Sequence, residues 1–323
     1  MTQLTFNLAD LYESLADVIG ERDALVCGDR RLTYQGLEER ANRLASFLRA
    51  RGIGPGDHIG LYLYNGAEYL EAMLAAFKLR AVPININYRY VAEELRYLCE
   101  NSDLVGIIHQ ASLADPVTEV LPRIRPLRTR LSVADGPALA AGAIDYEAAM
   151  AQGSPARDFG PRSGDDLYVI YTGGTTGMPR GVMWRHEDVF FAGLQGGRPG
   201  GDPILKPEEL APLVQEGPGL VMLPAAPFIH GAAQWAGWIG LFTGGKVVSA
   251  PAVVVPGASV FDVDFLSSSL QAASVSAVAA ALVPTMNCRR LTELFGIQIF
   301  LACSAIRPPP WSSTTGPRSL RGQ

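Results

Sequence analysis

Apolar residues recur at helical spacing in three stretches of the N-terminal third of the chain, and each stretch predicts an amphipathic helix. The residues of the three stripes are Leu8, Leu11, Leu15 and Val18; Leu37, Ala41, Leu44 and Leu48; and Leu70, Met73, Leu74 and Phe77. Thr33 is placed to cap the second helix, and the sequence RGIGPGD at residues 51–57 ends it.

Short apolar runs alternate with these helices. Strands are predicted at residues 58–63, 81–86 and 104–109, and a further helix at residues 91–100. Buried strands joined by helices of this length indicate βαβ crossovers. The pattern therefore predicts an α/β fold with a largely parallel sheet flanked by helices.

The pattern continues after a connector rich in Pro, Gly and Ser at residues 153–166. Strands are predicted at 167–172, 220–224 and 246–250, with a helix at 230–242 and a surface excursion at 196–219. Beyond residue 251 the pattern is lost, and Glu293 is the only acidic residue after Asp264. We expect one domain over residues 1–250, followed by an aberrant or disordered tail over 251–323 that is read out of frame or rearranged.

Composition narrows the possible functions. The 323 residues are 48% hydrophobic and 18% charged, which is typical of a globular protein, and the net charge of -5 gives no reason to expect nucleic-acid binding. The four cysteines are scattered, which indicates reduced thiols. With neither a signal peptide nor a run long enough to span a bilayer, the expected location is the cytoplasm.

One segment carries candidate chemistry: the loop that follows the strand predicted at residues 167–172. Gly173, Gly174 and Gly177 allow backbone amides to converge on an anion, while threonine hydroxyls and Arg180 add donors and positive charge. The loop therefore suits a polyphosphate, provided that its amides are not already bonded to the protein's own carbonyls. The alternative is a tight turn whose hydroxyls only cap backbone groups. A kinase-type P-loop is excluded because no Lys-Ser/Thr follows at the required spacing.

The segment Tyr171 to Gly181, YTGGTTGMPRG, resembles the signature of the adenylate-forming superfamily, which includes acyl-CoA synthetases, luciferases and peptide-synthetase adenylation domains. It differs from the family pattern only at Arg180, where the family has Lys. Residues 32–65, 77–103 and 223–248 also resemble conserved segments of that family, so the similarity runs from about residue 8 to 250. The sequence around the loop is most similar to actinobacterial synthetases that act on long-chain fatty acids and steroid side-chain acids.

The resemblance implies the large N-terminal domain of the acyl-CoA synthetase fold and an AMP-forming ligase reaction with ATP, Mg²⁺ and CoA. By position it implies phosphate binding by eight residues: Thr172, Gly173, Gly174, Thr175, Thr176, Gly177, Pro179 and Arg180. His230, Gly231 and Trp235 would line the acyl or CoA pocket. Core packing explains Trp235, Trp238 and Phe242 equally well. For His186, capping and surface roles compete with function, and His58 and His109 are expected to be structural.

The family also has an adenine platform, a Mg²⁺-binding Glu, a ribose-binding Asp and a small lid domain with a catalytic Lys. The sequence contains no match to these motifs, and no lysine follows Lys246. We therefore expect an incomplete domain without the lid, and little ligase activity for these residues alone. Two alternatives stay open, a non-catalytic nucleotide- or acyl-binding remnant and another acid-adenylating enzyme of the superfamily. The expected partners are small molecules, with neither nucleic acid nor an integral membrane segment involved.

Overall fold

A computed structural model describes residues 4–249, apart from residues 137, 138, 140, 175, 176 and 225. The strands of this part form a four-stranded sheet, a five-stranded sheet and a two-stranded hairpin. The strands are β1 (Asp23–Cys27), β2 (Arg30–Thr33), β3 (His58–Tyr62), β4 (Val82–Asn85), β5 (Leu104–Gln110), β6 (Thr129–Val133), β7 (Ile144–Asp145), β8 (Leu167–Gly174), β9 (Gly177–Arg185), β10 (Val221–Met222) and β11 (Lys246–Ser249).

The described residues contain nine α-helices, of which the first four and the last were predicted from the sequence. They are α1 (Leu8–Ile19), α2 (Tyr34–Ala50), α3 (Ala67–Lys78), α4 (Ala92–Asn101), α5 (Ala114–Val120), α6 (Tyr146–Gln152), α7 (His186–Asp188), α8 (Leu210–Gln215) and α9 (Gly231–Phe242). Thr33 caps α2 as predicted, since its side chain accepts a hydrogen bond from the Gly36 amide. One predicted core position is wrong: Val18 is exposed, and Ile19 and Tyr12 are buried on α1 instead.

The five-stranded sheet has the order β4-β3-β5-β6-β7, and all its neighbouring strands run parallel. Helices α3 and α4 form the crossovers on either side of β4, as the alternating pattern predicted. The fold prediction of parallel sheets flanked by helices is confirmed. The side chains of β4 are all buried, which explains why its sequence is a continuous apolar run interrupted only by Asn85.

The four-stranded sheet has the order β10-β11-β1-β2 and joins distant parts of the chain. Strand β1 pairs in parallel with β11 and antiparallel with β2. Helix α9 connects β10 to β11, and its Trp238 and Phe242 are fully buried. This packing brings the segment before residue 250 back against the N-terminal helices.

Two segments predicted as irregular are more ordered than expected. The connector at residues 153–166 lies against α1 and α2, where Arg162 pairs with Asp10 and Arg157 with Glu38. The predicted surface excursion at 196–219 contains α8, whose Leu210 and Val214 are buried. None of the helices in the described residues is long and apolar enough to cross a bilayer. The predicted tail, residues 251–323, lies outside the described part of the chain, so its aberrant character stays a prediction.

Candidate active site

The glycine- and threonine-rich segment forms the end of an antiparallel hairpin. Strands β8 and β9 pair from Leu167↔Arg185 to Gly174↔Gly177. The sequence predicted β8 and missed β9, because glycine, proline and arginine at its start read as loop. Thr175 and Thr176, at the turn, lie outside the described residues. Whether the amides of Gly173, Gly174 and Gly177 are free for phosphate therefore stays a prediction.

The hairpin ladder contains an irregularity just before the turn. Pairing passes from Thr172↔Arg180 directly to Gly174↔Gly177, so that Gly173 opposes both Met178 and Pro179. Proline suits such a bulge because it has no amide hydrogen to donate to the ladder. Pro179 is buried, and its carbonyl accepts a hydrogen bond from the Tyr97 hydroxyl at 3.2 Å. Phosphate binding by Pro179 stays a prediction.

Thr172 and Arg180 face each other across the hairpin. As directly paired residues of antiparallel strands, their side chains lie on the same face. Both are exposed. A hydroxyl donor and a guanidinium therefore lie side by side immediately before the turn, which is a donor set that fits phosphate oxygens.

A buried carboxamide holds β8 at this point. The Tyr171 amide donates to Asn85 Oδ1 at 2.7 Å, and Asn85 Nδ2 donates to the Tyr171 carbonyl at 2.9 Å. The same Nδ2 donates to the carbonyl of Ile229 at 2.7 Å. Sequence reasoning missed Asn85, although a polar residue at the end of a buried apolar strand is a usable signal.

His230 and Gly231 lie at the N-terminus of α9, against the hairpin. His230 is exposed, and desolvation followed by the positive charge of Arg89 lowers its pKa. Glycine at 231 has a packing reason, since a Cβ there would lie 2.7 Å from Ile170 Cδ1 on β8. The structure thus brings the start of α9 against β8 of the hairpin, and the roles of His230 and Gly231 in an acyl or CoA pocket stay predictions.

The aromatic residues of α9 divide into two groups. Trp238 and Phe242 are completely buried and stack on each other with ring centroids 5.8 Å apart, so core packing accounts for them. Trp235 is half-buried and packs edge-to-face on Trp184 of β9 at 5.8 Å. Trp235 therefore contacts the hairpin directly, and its role in an acyl pocket stays a prediction.

His186 is buried rather than on the surface. Its Nδ1 accepts a hydrogen bond from the Leu8 amide at 3.1 Å, and its ring packs edge-to-face on Phe77 at 4.5 Å. Burial lowers the pKa of His186 to about 4, although the charge of Asp166 opposes the shift. The imidazole is thus a neutral structural link between α1 and the end of β9.

A cavity of about 420 Å³ lies elsewhere, at the carboxyl ends of β3, β5 and β6. In sequence order, β4 is placed on one side of β3 and β5 on the other, so the strand order reverses between β3 and β5. The carboxyl ends of the strands at such a reversal are a common position for ligands in α/β sheets. Three charged residues that line the cavity are already engaged, because Arg30 pairs with Glu68 and Asp135 accepts a hydrogen bond from Ser112. It contains none of the predicted site residues, so we do not assign phosphate binding to it.

The described residues contain no cluster of three or more His, Cys, Asp or Glu arranged to bind a metal. No residue among them is therefore assigned to Mg²⁺, and the donor set at the hairpin fits the phosphates of a nucleotide rather than the metal itself.

Several known proteins are similar in sequence to this chain. A Rhodococcus rhodochrous 3-oxocholest-4-en-26-oate–CoA ligase is 51% identical over 253 residues, which are 77% of this chain and 45% of that protein. A medium/long-chain-fatty-acid–CoA/3-oxocholest-4-en-26-oate–CoA ligase of Mycobacterium marinum is 44% identical, over 77% of this chain and 46% of its own length. This chain therefore spans about half the length of the curated relatives that it matches.

The fold is also found in solved structures. The crystal structure of the anthranilate CoA ligase AuaEII with anthranoyl-AMP superimposes with a TM-score of 0.67 at 18% identity, covering 77% of this chain and 46% of that one. This likeness shows the fold alone. A sequence model described as AMP-binding enzyme matches residues 13–289, which reaches past the boundary expected at residue 250. The chain belongs to the family of AMP-binding enzymes.

Proposed function

We propose that this chain is part of an AMP-forming acyl-CoA synthetase that activates a long-chain fatty acid or a steroid side-chain acid. The support for the reaction class is membership of the AMP-binding family over residues 13–289. The support for the acid is the pair of relatives at 51% and 44% identity, whose names specify a cholestenoate and, in one case, medium- and long-chain fatty acids.

In this reaction a substrate carboxylate attacks the α-phosphorus of ATP, pyrophosphate leaves, and the thiol of CoA then displaces AMP from the acyl-adenylate. The part assigned to the hairpin is to bind the β- and γ-phosphates. The amides and hydroxyls of Thr172–Gly177 and the charge of Arg180 would stabilise the negative charge on the leaving pyrophosphate. Arg180 keeps the charge of the family Lys and offers a planar fork of donors.

Binding of the acyl group or CoA is assigned to His230, Gly231 and Trp235, which lie beside the hairpin at the start of α9. The depressed pKa of His230 favours its neutral form, which does not compete with Arg180 for the negative charge of the substrate. Mg²⁺ is proposed to arrive with the nucleotide. A cytoplasmic location is proposed because ATP and CoA are both available there.

The observation that carries the phosphate assignment is the exposed pair Thr172 and Arg180 on one face of the hairpin. Isothermal titration of ATP into the wild type, Arg180→Lys, Arg180→Ala and the control Arg198→Ala tests it. Arg180→Ala should weaken ATP binding about tenfold or more, the scale of a lost charge-assisted hydrogen bond, and Arg180→Lys much less. Arg198 is exposed on a different segment, so its substitution should change nothing. Equal affinity of Arg180→Ala and wild type would refute the assignment.

Catalysis is tested by ATP–pyrophosphate exchange with oleate, a steroid side-chain acid and benzoate. We propose that this 323-residue polypeptide alone exchanges pyrophosphate slowly, because the motifs expected for the metal, the ribose and the lid are absent from its sequence. Rapid exchange would overturn that proposal, and rapid exchange with benzoate alone would overturn the proposed substrate class. Binding of ATP and oleate without any exchange would favour a non-catalytic binding role.

A further inference from the structure

Asn85 occupies an unusual place in the fold. It is the last residue of β4, which is an edge strand of the five-stranded sheet. Its side chain is buried, with 4% of the residue exposed. A buried carboxamide is costly unless its donors and acceptor are bonded. Here both donors and the acceptor are used, and every partner is a main-chain atom.

The carboxamide acts as an extra peptide unit on the edge of the sheet. Through Oδ1 and Nδ2 it both accepts from and donates to the main chain of Tyr171, at 2.7 and 2.9 Å. This two-point pairing attaches β8 to β4, although the two strands belong to different sheets. An apolar residue at position 85 would leave the Tyr171 amide and carbonyl without these partners.

The second donor reaches the other half of the candidate site. Asn85 Nδ2 also binds the carbonyl of Ile229 at 2.7 Å. Thr172 follows Tyr171 and His230 follows Ile229, so each predicted site segment begins one residue after a group that Asn85 holds. A second close approach joins the same two segments: a Cβ at Gly231 would lie 2.7 Å from Ile170 Cδ1 on β8.

We propose that Asn85 is a positioning residue that links the β8–β9 hairpin, which is proposed to bind phosphate, to the segment Ile229–Gly231 at the start of α9. By bonding both main chains, it sets the distance between the segment that binds the nucleotide phosphates and the segment that borders the acyl group. In-line attack of a carboxylate on a phosphate requires such a fixed separation. This catalytic consequence rests on the proposed function, whereas the mechanical link does not.

Hydrogen exchange read by mass spectrometry tests the link without any ligand. In Asn85→Asp, a carboxylate oxygen replaces Nδ2 and faces the carbonyls of Tyr171 and Ile229, so both contacts become repulsive. Exchange should rise about tenfold in segments 167–172 and 228–233 together, the scale of one lost hydrogen bond, while α1 and α2 keep their protection.

Asn101→Asp is the matched control. Asn101 is exposed, and its Oδ1 accepts a hydrogen bond from the Tyr171 hydroxyl at 2.9 Å, which a carboxylate can still accept. The control makes the same chemical change beside the same tyrosine without touching its main chain. It should exchange like the wild type in both segments.

A second comparison adds ATP. In the wild type, ATP should protect the hairpin and also segment 228–233, whereas in Asn85→Asp it should protect the hairpin alone. A merely structural asparagine would not alter how protection spreads from one segment to the other. If ATP protects nothing in the wild type, the proposed function fails, and the ligand-free comparison still decides whether Asn85 links the segments.

The proposal is overturned if only one of the two segments loosens in Asn85→Asp, or if neither does. If Asn85→Asp fails to fold, Asn85→Ser replaces it, because serine is smaller, is uncharged and cannot reach both main chains. The same paired increase in exchange is expected for that variant, and normal protection of both segments would refute the link.

Discussion

Protonation of His186 should destabilise the fold as the pH falls below about 6.5. The imidazole is buried, accepts a hydrogen bond from the Leu8 amide through Nδ1 and packs on Phe77. Protonation would place a hydrogen on Nδ1, where it would oppose the Leu8 amide, and would bury a charge beside an aromatic ring. Desolvation accordingly lowers the pKa from 6.5 to about 4.

The direction of the effect follows from proton linkage. Between pH 6.5 and 4 the unfolded chain binds a proton at His186 and the folded chain does not, so the free energy of unfolding falls as the pH falls. The shift corresponds to a total loss of about 3 kcal/mol, of which about 2 kcal/mol is expected between pH 7 and pH 5.

Urea unfolding followed by tryptophan fluorescence at pH 7 and pH 5 measures this loss. His186→Asn keeps an acceptor for the Leu8 amide but cannot titrate, so its stability should fall by about 2 kcal/mol less than that of wild type. Val189→Ala removes buried side-chain volume on the same segment and keeps the histidine, so it should be less stable at both pH values with an unchanged pH dependence. Parallel curves for wild type and His186→Asn would refute the reasoning.

Three further predictions concern a buried ion pair, a helix cap and a close packing contact, and each is measured by urea unfolding at pH 7. Lys78→Met should lower the free energy of unfolding by about 3 kcal/mol, because the buried ammonium pairs with Glu13 and Glu38; no loss would contradict the importance of that pairing. Thr33→Ala should lower the free energy of unfolding by about 1 kcal/mol because the cap of α2 is lost, whereas Thr33→Ser should keep most of that stability. Gly231→Ala should cost about 1–3 kcal/mol because its Cβ would crowd Ile170, so a neutral result would disprove the close contact.

Periodic segments were the part of the fold that could be predicted from the sequence. Helices α1 to α4 and strands β3 to β5 follow the expected apolar spacing, because each buries one face or both faces in the core. Strand β9 was missed because its conformation depends on pairing with β8 rather than on local propensity. Helix α8 was missed because only two of its six residues are buried.

The residues of the candidate site likewise divide into those that the sequence singled out and those whose place only the structure decided. The sequence singled out Thr172 to Arg180 and His230 as candidate site residues, since glycines, hydroxyls and a guanidinium have a recognisable local chemistry, and their roles stay predictions. It placed His186 ambiguously, and it gave Trp238 and Phe242 equal chances of lining a pocket or the core. Their burial depends on which surfaces pack together, and local spacing carries no information about that.

By itself, the sequence determined the alternation of strands and helices, the family motif and the type of ligand that the motif suits. The tertiary structure alone decided that Thr172 and Arg180 share a face, that Gly231 contacts β8, and that Asn85 bonds to Tyr171 and Ile229, which lie 86 and 144 residues from it in sequence. The physical reason is the distance along the chain over which each kind of interaction acts. Periodicity and motif chemistry act between near neighbours in the chain, whereas a shared face or a buried hydrogen bond exists only after distant segments have packed together.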